Sequence, residues 1–273
     1  MTQIDAIHAG EYVKANGVKI YYEEYGAGEP LLLLQGGTLT GKVNWEAYIA
    51  TFSQHFRVII PDSRGHGRTD NPKGELNYRL MADDMAAFCQ TLTLEKPLIC
   101  GYSDGGQIAL ELGMRYAQLA KGLIVAAASY RFSKAYFEVL KGLGFEQPGE
   151  VNLEQTQQVY PELLALWQQL HTEVYGPDYW KTLLKQISKM WLTPLEYTEE
   201  ALKKITAPTL ILFGDRDLLF SVEQAVEMYR MIPNTELAIA PNSNHFFALE
   251  KPELFANICL DFLLRHTSDV EQN

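Results

Sequence analysis

Gly101-Tyr102-Ser103-Asp104-Gly105 is the stretch of this chain best suited to covalent chemistry. It fits the pattern G-x-S-x-G. A short apolar run, Leu98 to Gly101, leads into it, and a helical pattern, Gly106 to Tyr116, follows. Between a strand and a helix these residues form a tight turn that lifts the serine hydroxyl above the strand ends. Small residues two positions either side let strand and helix approach closely. Away from such flanks the same five residues would be an ordinary turn.

A serine hydroxyl is a weak nucleophile. It needs a base, and the base needs an orienting carboxylate. Downstream, Gly214-Asp215-Arg216-Asp217 ends one strand pattern and Asn244-His245-Phe246 follows the last. Both lie at C-terminal strand ends, where an open α/β sheet places its site. On the residues alone, Asp215 and Asp217 are both candidate acids, and His245 is the candidate base. The other histidines read differently. His66 lies in an Arg-Gly-His-Gly turn and is expected to bond loop backbone. His171 has two readings, a substrate contact and, favoured over it, a surface position. His8, His55 and His266 sit at ends or loop edges with no partner in view. No spacing of His, Cys, Asp and Glu argues for a metal, and no cofactor is expected.

The elements that must position these residues alternate. Val18 to Tyr25 is rich in β-branched and aromatic residues, and Glu11 to Lys14 pairs with it through the Asn16-Gly17 turn. Leu31–Leu34, Arg57–Ile60, Leu98–Gly101, Leu123–Ala127 and Leu210–Phe213 are short runs of the kind buried on both faces, and Glu236–Ala240 looks like one more. Helical patterns fall at Trp45–Ser53, Tyr78–Leu92, Gly106–Tyr116, Val222–Met231 and Pro252–Leu264. The alternation predicts an α/β fold: a mostly parallel, doubly wound sheet of about eight strands with helices on both faces. It breaks between residues 130 and 204, where apolar pairs such as Tyr179-Trp180 and Met190-Trp191 occur without a strand pattern. The expected organisation is a core of residues 1–129 and 205–273 with a helical cap inserted at 130–204. Most cap aromatics are expected to glue it to the core, and some to line a pocket.

The composition bounds the partners. The 273 residues are 47% hydrophobic and 21% charged, which suits a globular chain with a sizeable core. Lys and Arg number 23 and Asp and Glu 34, a net charge of −11. Such a surface repels nucleic acid and anionic membranes. Cys89, Cys100 and Cys259 are widely spaced and read as small buried hydrophobes, not as a disulfide framework. The first ten residues have neither the basic nor the apolar region of a secretory leader, and no apolar run approaches a membrane span. A cytoplasmic protein acting on a small molecule is expected. Oligomeric state is not legible.

With these motifs placed, the chain resembles the α/β-hydrolase family, in its serine-nucleophile branch. Pro61-Asp62-Ser63-Arg64-Gly65-His66-Gly67-Arg68-Thr69 is similar to that family's D-x-R-G-x-G-x-S turn, and Gly214-Asp215-Arg216-Asp217 to its G-x-x-D acid segment. The resemblance implies a triad of Ser103, Asp217 and His245, with Asp215 a turn residue. It also implies backbone N–H donors for an oxyanion from Asp104 and from Gly37 of Gln35-Gly36-Gly37-Thr38. The family commonly has histidine where Gln35 stands. Gln35, Thr38, Asp104 and Phe246 are candidate substrate contacts.

Gly-Tyr-Ser-Asp-Gly-Gly is similar to the nucleophile segment of valacyclovir-hydrolase-like enzymes, which favour α-amino acid esters, and the chain also resembles cofactor-free haloperoxidase and esterase-like members. Asp104 then has two readings: a carboxylate favoured by a helix N-terminus, its side chain otherwise free, or a charge aimed at a cationic substrate group. The implied activity is ester hydrolysis through an acyl-enzyme on Ser103. Lactonase, C–C bond hydrolase and perhydrolase chemistries use the same triad, and a slow-turnover receptor on this fold is the alternative from another class. A serine nucleophile argues against haloalkane dehalogenase and epoxide hydrolase chemistry.

Overall fold

The computed structural model of the chain describes residues 8–267. Eight strands form one sheet: β1 (His8–Ala15), β2 (Val18–Tyr25), β3 (Pro30–Leu34), β4 (Arg57–Pro61), β5 (Leu98–Tyr102), β6 (Gly122–Ala126), β7 (Thr209–Gly214) and β8 (Thr235–Ala240). Their spatial order is β1-β2-β4-β3-β5-β6-β7-β8. The β1–β2 hairpin joins antiparallel at one edge, and β4 through β8 run parallel.

The helices are α1 (Gly41–Phe52), α2 (Tyr78–Thr91), α3 (Asp104–Arg115), α4 (Lys134–Gly142), α5 (Leu153–Val159), α6 (Pro161–Leu170), α7 (Tyr179–Trp191), α8 (Glu199–Leu202), α9 (Val222–Met231), α10 (Phe247–Glu250) and α11 (Pro252–Arg265).

The continuous apolar strands divide between two cores because successive side chains point to opposite faces. Leu32 and Leu34 of β3 pack with Met85 and Phe88 of α2 and Ile108 of α3. Leu31 and Leu33 face the other way, with Trp45 and Phe52 of α1 and Phe255 and Phe262 of α11. All four leucines are fully buried, each stabilising the fold by roughly 1.5–3 kcal/mol relative to exposure. Cys89, Cys100 and Cys259 are buried free thiols on α2, β5 and α11. No helix among the described residues is long and apolar enough to cross a membrane.

Two helices start earlier than periodicity suggests. The α1 helix begins at Gly41, not Trp45, because Thr40 caps it by accepting from the Val43 N–H (3.3 Å). The α3 helix begins at Asp104, directly after Ser103, since the turn carries no linker. Between β6 and β7 the chain forms helices and no strand. The two ends of that segment are tied where Phe132 donates to the Leu195 carbonyl (2.9 Å) and Tyr197 to that of Tyr130 (2.8 Å).

Candidate active site

Ser103 occupies the step from β5 to α3 with φ 54° and ψ −115°, a conformation that costs a non-glycine residue on the order of 1–3 kcal/mol. The flanking glycines are steric requirements. A Cβ on Gly101 would collide with the Gly105 carbonyl, and one on Gly105 with the Leu34 carbonyl. Strand β5, helix α3 and strand β3 therefore meet closely enough to hold the serine in place.

Residues distant in the chain converge on that hydroxyl. Ser103 Oγ lies 3.0 Å from His245 Nε2, and His245 Nδ1 lies 2.8 Å from Asp217 Oδ2. With Asp217 ionised, Nδ1 carries the proton and Nε2 is free to accept from the serine. Asp217 is itself fixed: its Oδ1 accepts from the backbone N–H groups of Leu219 (2.8 Å) and Phe220 (3.1 Å). Asp215 points elsewhere and accepts from the Ser243 N–H (2.9 Å), which holds the loop carrying the histidine. The Tyr102 hydroxyl donates to the His245 carbonyl and anchors the same loop from β5.

The loop after β3 is braced at several points. Gly36 donates to Asn44 Oδ1 (3.0 Å) and Gly41 to Asp62 Oδ1 (2.8 Å). Gln35, with its amide oriented to satisfy its neighbours, donates to the Pro61 carbonyl (3.1 Å) and accepts from the Ser63 N–H (2.9 Å). Gly37 and Asp104 both line the cavity that holds Ser103. Among the described residues, neither of their N–H groups meets a protein acceptor. The 61–69 turn stays behind the site: Arg64 forms a buried two-pronged pair with Asp84 (2.6 and 2.7 Å), and His66 Nδ1 bonds the Arg64 carbonyl (2.9 Å).

The cavity has a volume of about 100 Å³. Tyr136, Phe145, Trp167, Trp191, Phe220 and Phe246 give it an aromatic wall. Four of these, Tyr136 to Trp191, come from the segment between β6 and β7. Asp104 is its buried charge. Its carboxylate accepts from the Tyr78 hydroxyl (2.7 Å) and from the Trp191 indole N–H (2.9 and 3.0 Å). Burial pushes its carboxyl up to about 6, while the Trp191 and Tyr78 donors pull the other way. The side chain is thus not free, as the sequence suggested. Short polar neighbours gave no hint that two aromatic donors would reach it.

Two other expectations change. His171 is not on the surface. It is buried, with Nδ1 accepting from the Gly67 N–H (3.0 Å) and Nε2 2.8 Å from the Thr38 carbonyl, because the segment between β6 and β7 folds it against the loop after β3 and the 61–69 turn. Gln35 is spent on the 61–63 turn and is absent from the cavity wall, whereas Thr38 and Phe246 are on it. The structure adds Tyr78, Gln107 and Phe220 to the site. Gln107 was findable, since it lies three residues after Asp104 on one helix face. Tyr78 and Phe220 carry no local signal.

The profile of the Alpha/beta hydrolase family matches residues 31–258. The chain is 26% identical to a 2-hydroxy-6-oxo-6-(2'-aminophenyl)hexa-2,4-dienoic acid hydrolase of Metapseudomonas resinovorans, over 96% of this chain and 93% of that protein. Its fold is similar to that of a meta-cleavage product hydrolase, with a TM-score of 0.79, 23% identity, and coverage of 94% and 98% of the two chains. It is also similar to a thermophilic esterase from Thermogutta terrifontis, with a TM-score of 0.72, 25% identity, and coverage of 97% and 99%.

Proposed function

Because the chain belongs to the alpha/beta hydrolase family, we propose that it is a serine hydrolase that cleaves a small neutral or cationic ester through an acyl-enzyme on Ser103. The observation that carries this reading is the unbroken hydrogen-bond chain from Ser103 through His245 to Asp217. His245 takes the hydroxyl proton as Ser103 Oγ attacks the ester carbonyl. The Gly37 and Asp104 N–H groups stabilise the resulting oxyanion. His245 then returns the proton to the departing alkoxide. In the second half it deprotonates water, which releases the acid and regenerates the serine. Asp217 holds the imidazole and stabilises its charged form. No step calls for a metal or cofactor.

The cavity supports a small acyl group in an aromatic surround. Its wall carries the Asp104 carboxylate and, among the described residues, no Lys or Arg, which disfavours an anionic substrate. Three buried thiols suit a reducing compartment such as the cytoplasm. A second reading, C–C bond hydrolysis by the same triad, is favoured by the relative named for a hydroxy-oxo-dienoic acid. Such an acid is an anion, and the missing cation in the cavity weighs against it.

The test is steady-state hydrolysis of p-nitrophenyl acetate by the protein and its Ser103→Ala variant. Sustained turnover that falls roughly 10⁴- to 10⁶-fold in the variant is expected. One burst without turnover would point to a slow-turnover receptor, and equal rates in both proteins would overturn the assignment of Ser103.

A further inference from the structure

Thr38 follows Gly37 and has a φ of 64°. A β-branched residue is a genuine outlier in the left-handed region, so something must hold it there. Its side chain is buried. The braces described above secure Gln35, Gly36 and Gly41 of the same loop. The Gly37-Thr38 step lies between them, and its hold comes from outside the core: the Thr38 carbonyl meets Nε2 of His171 at 2.8 Å. His171 follows α6 in the segment between β6 and β7, 133 residues along the chain.

The two bonds of His171 define its state. Nδ1 faces the Gly67 N–H, so it is an acceptor and bears no proton. Nε2 faces a carbonyl, so it bears the proton and donates. The ring packs edge-on to His66, with ring centroids 5.7 Å apart, and burial lowers its pKa to about 4. It is therefore a neutral, doubly bonded bridge between the loop after β3 and the 61–69 turn.

We propose that His171 is a positioning residue for the oxyanion site: by holding the Thr38 carbonyl, it keeps the preceding Gly37 N–H aimed into the cavity. The inference rests on the reading of Gly37 as an oxyanion donor. It gives the inserted segment a part in the chemistry beyond shaping the pocket, since its seating completes the donor loop. His171 itself does not line the cavity.

The experiment uses two amide replacements with different reach. The glutamine of His171→Gln can place an N–H donor near the position of imidazole Nε2, and so can hold Thr38. The asparagine of His171→Asn reaches only the Nδ1 position, and so can bond Gly67 but not Thr38. With p-nitrophenyl acetate, His171→Asn is expected to lose roughly 10-fold or more in kcat, since misplacing a reacting group by about 1 Å can cost 100-fold, with KM changed less than about 3-fold. His171→Gln is expected to keep kcat within about 3-fold of the parent.

Equal losses in the two variants, or a rise in KM at unchanged kcat, would mean that His171 merely pins the insertion, and would overturn the proposal. Melting temperatures of both variants are measured alongside. If His171→Asn does not fold, His171→Gln decides alone: a native melting temperature with a 10-fold loss of kcat overturns the inference. Ser103→Ala runs in parallel. If it is inactive while both His171 variants match the parent, only this inference fails; if it is active, the reading of the site fails with it.

Discussion

The indole N–H of Trp191 donates to both carboxylate oxygens of Asp104, at 3.0 and 2.9 Å. The two residues are 87 positions apart. One ends α7, between β6 and β7, and the other follows Ser103 at the start of α3. The bond fixes a buried carboxylate beside the proposed oxyanion donors, and the first two predictions depend on its charge.

Asp104→Asn is expected to stabilise the protein at alkaline pH. Burial raises the Asp104 carboxyl to about 6 from 3.8, so the folded protein holds that proton more tightly than the unfolded chain does. The resulting stability is fully present below pH 3.8 and is lost as pH rises through about 6. The difference amounts to roughly 3 kcal/mol. Asparagine avoids the loss, because it is neutral throughout and still accepts one hydrogen bond. Calorimetry at pH 4, 6 and 8 should show the melting temperature of the variant gaining on the parent as pH rises. A constant offset would contradict a raised carboxyl.

The same substitution tests the substrate charge. If the ionised carboxylate attracts an ammonium group, the ratio of kcat/KM for an α-amino acid ester to that for its neutral analogue should fall as pH drops from 7 to 5. In Asp104→Asn the ratio should be low and flat. A pH-independent ratio in the parent would eliminate the ammonium reading and leave a neutral ester.

Gly37→Ala should damage catalysis more than folding. A Cβ there would run into Asp104 Oδ2 and Trp191 Cζ2, and relief requires the donor loop or the carboxylate to move. Removing one oxyanion donor typically costs about 10²- to 10³-fold in kcat, and a loss near the lower end is expected. Kinetics beside a melting curve separate the two effects. Unchanged kcat would show that the Gly37 N–H is not used.

Asp84→Ala should be severely destabilising. Asp84 takes both prongs of the buried Arg64 guanidinium and also accepts from Asn16 (2.8 Å). Breaking a buried pair strands the remaining charge, at a cost of roughly 3–5 kcal/mol. Denaturant unfolding measures it. A loss under about 1 kcal/mol would mean that water reaches Arg64.

Much of this molecule was legible because its signals are local. Leu31–Leu34 and Leu98–Gly101 announce strands buried on both faces by being apolar without alternation. Ser103, Asp217 and His245 each stand at a strand end in a short, recognisable segment, so their convergence could be expected before any distance was known. Turn chemistry also decided His66, whose Nδ1 partner, the Arg64 carbonyl, lies two residues away.

Other features depended on which surfaces meet. Whether Asp104 is free or held depends on where Trp191 and Tyr78 arrive, and no local pattern encodes a contact across 87 residues. His171 has the flanks of a surface residue, and only its meeting with Gly67 and Thr38, far away in the chain, buries it. The aromatics at 130–204 read alike whether they glue or line, because an apolar ring gains from burial in either place. The sequence by itself determined the sheet, the turn that carries Ser103 and the chain order of Ser103, Asp217 and His245, since short-range backbone geometry and periodicity specify them. The partners of Asp104, the place of His171 and the charge balance of the cavity were decided only by how the helices between β6 and β7 pack against the rest of the chain.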